Sequence, residues 1–423
     1  MLDLQQIVRD PEHVRAQLAR RGEKGAPIDE IVRLDERRRD LILSLDTGRA
    51  RRNEVSKKIG AEKRKPTPEE VAEMRSLGDD LKAAEEELAG VRTQLDALLL
   101  PLPNLPLPDV PDGLDESGNQ IVATVGEQRE IPGALAQWDL GPALGILDME
   151  AGASISGARF YVLKGKGARL NRALAAWMLD THTSEFGYTE IDPPLLVKPE
   201  TMTGSGNLPK FRDNLYHDDE TNLWLIPTAE VALNALHQGQ IIDAGRLPLK
   251  YVAQTPSFRK EHTAAGRDVR GIKRVHQFEK VELFRYVEPE HSNQAQVEMV
   301  GEVRKLLDAL GLTYRVLRLC AGDIGFQSAR TYDIEVWSPG SREWLEVSSI
   351  STCTDFQARR NNTRYRSEAG GPTRFPHTLN GSGLALPRMW IAVIENGQQP
   401  DGSVEIPEAL VPYTGFSRIE MGG

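Results

Sequence analysis

The stretch FRKEHTAAGRDVRGIKRVHQFEKVELF, Phe258 to Phe284, decides how the rest of the chain is read. Arg259 and Glu261 stand at one end, Phe278 and Glu282 at the other, with a charged, Gly-containing loop between. Residues 250–261 and 273–285 read as two antiparallel strands joined by HTAAGRDVRG, with side chains alternating faces at a period of two. Arg259 and Glu261 then share a face. Arg274, His276, Phe278, Lys280 and Glu282 share a face of the returning strand, and Val275, Val281 and Leu283 take the opposite one. The apolar face can pack on helices. The other is a platform of Arg, Phe and Glu, suited to an anion, an aromatic base and an ammonium group. Taken alone, the pattern also fits a solvated sheet face laced with salt bridges.

Composition sets bounds around this stretch. The chain has 423 residues, enough for two or three domains, with 39% hydrophobic and 27% charged residues, as in a soluble globular protein. No run of about 18 apolar residues offers a spanning helix. The opening MLDLQQIVRDPEHV is charged where a signal peptide needs an apolar segment, so a cytoplasmic protein is expected. Cys320 and Cys353 are the only cysteines, which excludes a disulfide framework and fits a reducing compartment. The 8 histidines lack ligand spacing, so no zinc is expected. A net charge of −10 argues against a nucleic-acid partner only as a sum, because binding depends on local patches.

Charge is unevenly spread over the first hundred residues. Asp10 caps a short helix with Pro11 in its first turn. Beyond it, Ile31, Leu34, Arg38, Leu41, Leu45, Gly48, Arg52, Val55 and Ile59 recur at steps of three and four. Met74, Leu77, Leu81, Ala84, Leu88, Val91, Leu95 and Leu98 do the same, and KPTPEE separates the two runs. The pattern predicts an antiparallel two-helix coiled coil over about residues 29–98, each arm roughly 50 Å long. From Asp29 to Lys65 there are 12 Lys/Arg against 8 Asp/Glu; from Pro68 to Leu98 there are 3 against 9. The first helix is therefore basic and the second acidic. A solvated coiled-coil face or a dimerisation rod would account for this equally well.

PLPNLPLPDVPDG, residues 101–113, holds five prolines and reads as a linker. After it, helical patterns such as ARLNRALAAWMLDTHTSEFG mix with strand-like runs such as KYVAQTPSF, TYDIEVW and WLEVSSI. Strands following strands predict an α+β domain, mainly antiparallel, flanked by helices. Gly-rich phosphate loops of the P-loop spacing are absent; LKGKGARL does not match it.

The opening stretch resembles motif 2 of the class II aminoacyl-tRNA synthetases, in particular the bacterial-type seryl-tRNA synthetase family. The resemblance runs the length of the chain. MLDLQQIVRDPEHVRAQLARRG is similar to that family's opening, and the helical hairpin to its tRNA-binding arm. FGYTEIDPPLLVKPETMTGSGNLPKF resembles motif 1 (about 186–200) and its continuation, with Pro194 as the proline of the dimer interface. NGSGLALPRMWIAVIEN resembles motif 3 (about 379–396), and motif 2 covers about 250–285. The resemblance implies a tRNA-binding arm over residues 1–100, a linker at 101–113, and a class II catalytic domain over 114–423. It implies ATP-dependent attachment of L-serine to a serine tRNA with a long variable arm, and to selenocysteine tRNA where present. The route is a seryl-adenylate, and the assembly a homodimer with no membrane partner.

Residue roles follow from the same resemblance. Arg259 and Arg388 are the expected catalytic groups, on the α-phosphate with the serine carboxylate and on the γ-phosphate. Thr228, Ala229, Glu230, Arg259, Glu282 and Ser382 are expected to bind serine. Arg259, Lys260, Glu261, Val275, Phe278, Glu346, Val347, Ser348, Ser349 and Arg388 are expected to bind ATP, with Glu346 and Ser349 holding Mg²⁺. Arg49, Arg51, Lys57 and Lys58 are expected on the tRNA. The sequence departs from the family pattern at Lys260 and His262, where the former is usually small, and at Pro387, where glycine is common. An amino acid:carrier-protein ligase and an antibiotic-resistant duplicate enzyme are the rival readings.

Overall fold

The structure is a computed structural model that describes residues 1–261 and 270–421; His262 thus lies outside the described residues. The chain forms two units, Met1–Pro103 and Asn104–Gly423.

In the first unit, Asp10 accepts a hydrogen bond from the His13 amide at 3.0 Å and so starts the helix Pro11–Arg20. Two long helices follow, Ile28–Ala61 and Pro68–Leu99. Thr67 and Glu70 cap the second reciprocally: Thr67 Oγ1 accepts from the Glu70 amide, and the Glu70 carboxylate from the Thr67 amide. Pro68 sits in the first turn, where its missing N–H is no loss. Ile31, Leu34, Leu41, Leu45, Gly48 and Val55 are buried against Leu81, Leu88, Val91 and Leu95. At Gly48 the approach is close enough that a Cβ would stand 2.8 Å from Leu81 Cδ2. Two seam positions predicted from the repeat carry arginine, and they differ. Arg38 folds back on buried Asp35 at 2.6 Å, whereas Arg52 is exposed.

The second unit is built on an eight-stranded sheet. Its strands are β1 (Gln120–Val125), β2 (Thr189–Glu190), β3 (Leu249–Phe258), β4 (Gln277–Val287), β5 (Tyr314–Arg318), β6 (Arg330–Ser338), β7 (Glu343–Thr354) and β8 (His377–Ala385). The order is β1-β5-β6-β7-β8-β4-β3-β2, and the edge pair β3–β2 alone is parallel. Helices Gly165–Ser184, Ser292–Ala309 and Leu386–Asn396 contribute Leu174, Met178, Val303, Leu307, Trp390 and Ile394 to the main core. Val281 and Leu283 join that core, as the alternation in β4 predicts.

Two expectations change. The strands of the opening stretch are shorter than read: β3 ends at Phe258 and β4 begins at Gln277. One more rung survives, with the Arg259 amide donating to His276 O at 2.9 Å, and then Glu261 turns away at φ +48°. No strand pairing therefore enforces alternation at Glu261, Arg274 or Val275, yet Val275 joins the main core and Glu261 and Arg274 line the cavity, as the alternation predicts. Nor is the proline-rich segment a free tether from Asn104 on. The Asn104 amide donates to Phe326 O at 2.9 Å, its Nδ2 to Cys353 O at 2.8 Å, and the Leu107 amide to Ala329 O at 2.8 Å. Prolines cannot donate, so the few N–H groups between them fix the segment to the sheet domain.

Candidate active site

A cavity of about 820 Å³ opens over the centre of the sheet, bounded by β4, β6, β7 and β8 and the loops after β3 and before β4. Register explains much of its lining. Glu282 on β4 pairs with Ser382 on β8, so both reach the same end. Asp333 on β6 pairs with Ser349 on β7, and Glu335 with Glu346 beside them. Ser382 is held from two sides: its carbonyl accepts from Ser348 Oγ at 2.6 Å, and the next residue, Gly383, lies against buried His182. A side chain at Gly383 would put its Cβ 2.8 Å from His182 Nε2.

At the anionic end Thr228 Oγ1 donates to Glu282 Oε2 at 3.2 Å, and Lys280 Nζ contacts the same oxygen. Glu282 Oε1 is buried and has no hydrogen-bond partner among the described residues. Glu230 accepts from Gln357 Nε2 at 2.6 Å and from Gln327 Nε2 at 3.2 Å. Burial, and then the charge of Glu282, push the Glu230 carboxyl up to about 7.

The middle belongs to Arg259. Its Nε donates to Pro227 O at 3.2 Å, and its guanidinium lies 5.1 Å from the centre of the Phe278 ring. Burial lowers its pKa, against the pull of Glu261, Glu282 and Glu346. An arginine keeps its charge through such a shift, so the cavity holds a partly buried, charged fork of donors ready for anions. Phe278 and Val275 line the wall beyond. Glu261 is held by Arg274 Nη1 at 3.1 Å.

At the far end Arg388 Nη1 donates to Glu346 O at 2.6 Å and lies 3.1 Å from Glu346 Oε1. Pro387 occupies the first turn of helix Leu386–Asn396, where proline is well tolerated, so it sets Arg388 at a helix start without breaking the helix. Asp333 Oδ1 is buried without a hydrogen-bond partner among the described residues, and burial together with Glu346 raises its pKa well above the usual carboxylate range.

Of the residues predicted for serine and ATP, the cavity brings together Thr228, Glu230, Arg259, Glu261, Val275, Phe278, Glu282, Glu346, Ser349, Ser382 and Arg388. Four do not line it. Ala229 is buried in a separate cluster, and Val347 lies in the main core. Ser348 spends its hydroxyl on Ser382 O, and Lys260 Nζ stands 5.7 Å over the Tyr216 ring. Among the lining residues not singled out from sequence are Asp333, Asn380 and Gln327. Alternation in TYDIEVW and NGSG would have found the first two, since Asp333 shares parity with Glu335, and Asn380 with Ser382. Lys280 was placed on the right face but given no role. Among the described residues no group of three or more His, Cys, Asp or Glu is set to hold a metal.

On the arm, Arg49 pairs with Glu85 at 2.8 Å and Arg51 with Glu73 at 3.0 Å across the two helices. Lys57 and Lys58 are exposed and form no ion pair among the described residues, though Lys58 is near enough to help lower the Glu70 pKa.

Two family descriptions match the chain: the seryl-tRNA synthetase N-terminal domain over residues 1–106, and the tRNA synthetase class II core domain (G, H, P, S and T) over residues 211–397. The serine–tRNA ligase of Thermomicrobium roseum is 54% identical, covering 98% of this chain and 94% of its own. That of Chloroflexus aurantiacus is 51% identical, covering 98% of both. Among solved structures, seryl-tRNA synthetase from Pyrococcus horikoshii complexed with ATP matches with a TM-score of 0.94 and 37% identity over 100% of both chains. No helix among the described residues is long and apolar enough to cross a membrane. With its α+β class II core and N-terminal helical hairpin, the chain belongs to the seryl-tRNA synthetase family.

Proposed function

We propose that the cavity joins L-serine to ATP and that the arm delivers serine tRNA to the product. The chain is an ATP-dependent serine–tRNA ligase. The observation that carries the reading is the spacing of opposite demands along one cavity. Arg259 stands between an acidic end, where Glu282 Oε1 lacks a partner among the described residues, and an aromatic wall at Phe278. The carrier-protein and duplicate-enzyme readings draw no support from the relatives, which carry the name serine–tRNA ligase.

Serine binds as a zwitterion. Its ammonium goes to Glu282 and Glu230, its hydroxyl toward Glu282 and Ser382, and its carboxylate to Arg259. ATP lays adenine on Phe278, with Glu261 and the Val275 backbone at its edge, and directs its phosphates toward Arg388. Arg259 bridges the α-phosphate and the serine carboxylate. A carboxylate oxygen attacks the α-phosphorus, the bond to the bridging oxygen breaks, and pyrophosphate leaves with the electron pair. Arg259 and Arg388 stabilise the charge that grows on the phosphate oxygens, and no side chain needs to act as a nucleophile. The terminal ribose hydroxyl of tRNA then attacks the seryl carbonyl, and AMP leaves.

The residues fit Mg²⁺. Asp333 Oδ1 is buried without a partner among the described residues, Glu346 is near enough to raise the Asp333 pKa after burial, and Ser349 pairs with Asp333 across the strands, a set of hard oxygen donors. Glu346 and Ser349, with Asp333 alongside, would hold the ion, which when bound offsets phosphate charge. The arm is assigned to the long variable arm of serine tRNA, and of selenocysteine tRNA where the host has one. A homodimer is the proposed assembly, with exposed Pro194 at its interface. The proposed location is the cytoplasm, in keeping with its tRNA substrate.

The test is ATP–pyrophosphate exchange with a panel of amino acids, followed by charging of tRNA. Exchange should depend on serine, and charging on serine tRNA. Equal exchange with another amino acid would overturn the substrate assignment.

A further inference from the structure

The two oxygens of Glu282 are treated differently. Oε2 receives the Thr228 hydroxyl and the ammonium of Lys280, while Oε1 is enclosed and bare. Lys280 and Glu282 are two apart on β4 and point to the same face, where the pairing with β8 shifts register between them. Lys280 is only 8% exposed and lines the cavity. An ammonium seldom stays inside a protein unless a carboxylate holds it. Here the holder is the residue assigned to the substrate's own ammonium, and the two cations are kept apart by using different oxygens.

We propose that Lys280 is a positioning residue for serine activation: it clamps Oε2 of Glu282 and leaves Oε1 as the acceptor presented to the substrate. The inference rests on the assignment of Glu282 to serine.

The surrounding charges give the clamp its purpose. Lys280 faces Glu282 from the same strand. Thr228 and Glu230 face it from the loop and helix start after Pro227, Arg259 from the end of β3, and Ser382 and Asn380 from β8. Cys353 of β7 is buried, close enough for Glu230 to raise its pKa. Two carboxylates thus stand against Lys280 and Arg259. Serine arrives with no net charge, and its carboxylate occupies Arg259. Without Lys280, Glu282 and Glu230 would repel each other unrelieved, and one would take up a proton, removing the acceptor the ammonium needs. Lys280 acts in the opposite direction on Glu230, lowering a proton affinity that burial and Glu282 raise.

The test uses the full-length protein, Lys280→Met and Lys280→Gln to remove the charge, and Lys280→Arg to restore it. Serine- and ATP-dependent pyrophosphate exchange is measured over a pH series. Lys280→Met should raise KM for serine by at least about tenfold with KM for ATP unchanged. The acid limb of kcat/KM for serine should move to higher pH, because Glu230 loses the nearby positive charge that lowers its proton affinity. Lys280→Arg should return the limb toward its original place. Lys280→Gln keeps a donor on Oε2 without a charge, and should shift the limb even if Lys280→Met does not fold. An unshifted limb with an unchanged serine KM overturns the inference. So does a rise in KM for ATP in step with that for serine, which a general loss of packing would give. Failure of the unmodified protein to activate serine would instead overturn the functional reading.

Discussion

Glu282 and Glu230 sit 54 and 127 residues from their side-chain partners Thr228 and Gln357, yet each has a task set by what those partners leave free. Glu282→Ala removes the bare acceptor, so serine-dependent exchange should be largely lost while ATP affinity measured by titration stays near that of the unmodified protein. The same pocket should reject alanine by a factor of about 10⁴, since a site built for a hydroxyl strands its own polar groups without one; exchange with alanine at the serine rate would contradict this. Glu230 gives a stability prediction. Its folded pKa of about 7 lies above the ordinary 4.5. Below the ordinary value the group is protonated in both states and carries no penalty. As pH rises through the two values the unfolded chain ionises first and stability is lost, by about 3 kcal/mol once above both. Glu230→Gln should therefore melt higher than the unmodified protein at about pH 8 and similarly at about pH 4. A pH-independent difference would show that Glu230 titrates normally in the fold.

The arm shows how helix pairing selects among residues that sequence treats alike. Arg49 and Arg51 are tied to Glu85 and Glu73 of the acidic helix, whereas Arg52, Lys57 and Lys58 are exposed without an ion pair among the described residues. A paired guanidinium must give up its carboxylate before it can neutralise a phosphate. Replacing Arg52, Lys57 and Lys58 by Gln should flatten the salt dependence of serine-tRNA binding by about two to three units. Arg49→Gln with Arg51→Gln should change the slope less. Filter binding across a salt series reads both, and equal slopes for the two variants would mean the cross-arm pairs play no part. Serine-dependent exchange should be untouched in either variant. The register of β4, by contrast, was readable from alternation, and its consequences extend past the regular strand. Past Phe258 and before Gln277 no ladder enforces alternation, so Glu261 and Val275 reach the cavity through loop geometry.

Division of the chain at Pro103 and Asn104 yields a prediction for truncation. Asn104–Gly423 should fold, exchange pyrophosphate with serine, and charge tRNA orders of magnitude more slowly than the full chain. A shorter fragment beginning at Leu114 loses the hydrogen bonds of Asn104 and Leu107, together with those that Pro111 and Gly113 accept from Ala321 and Gly322. At a net value of about 1 kcal/mol for each buried hydrogen bond, it should melt well below the longer one. Equal melting temperatures would mean the proline-rich segment is only a tether. Equal loss of exchange and charging in the folded longer fragment would argue against separate tasks for the two units.

Local physics carried the sequence reading as far as local physics acts. The three-and-four repeat and the KPTPEE break specify the hairpin, because a helix and its ends depend on residues within a few positions of one another. Alternation in β4 placed Phe278, Lys280 and Glu282 together for the same reason, and the order of motifs along the chain carried the family. Tertiary structure alone decided which oxygen of Glu282 is free, why Glu230 holds its proton to about neutrality, and that Asp333 lies near Glu346. It also turned Lys260 onto Tyr216 and gave the Ser348 hydroxyl to Ser382. These outcomes depend on register between strands far apart in sequence and on how deeply each charge is buried. Neither is written in any single segment, because both arise only when the strands stand side by side and exclude water.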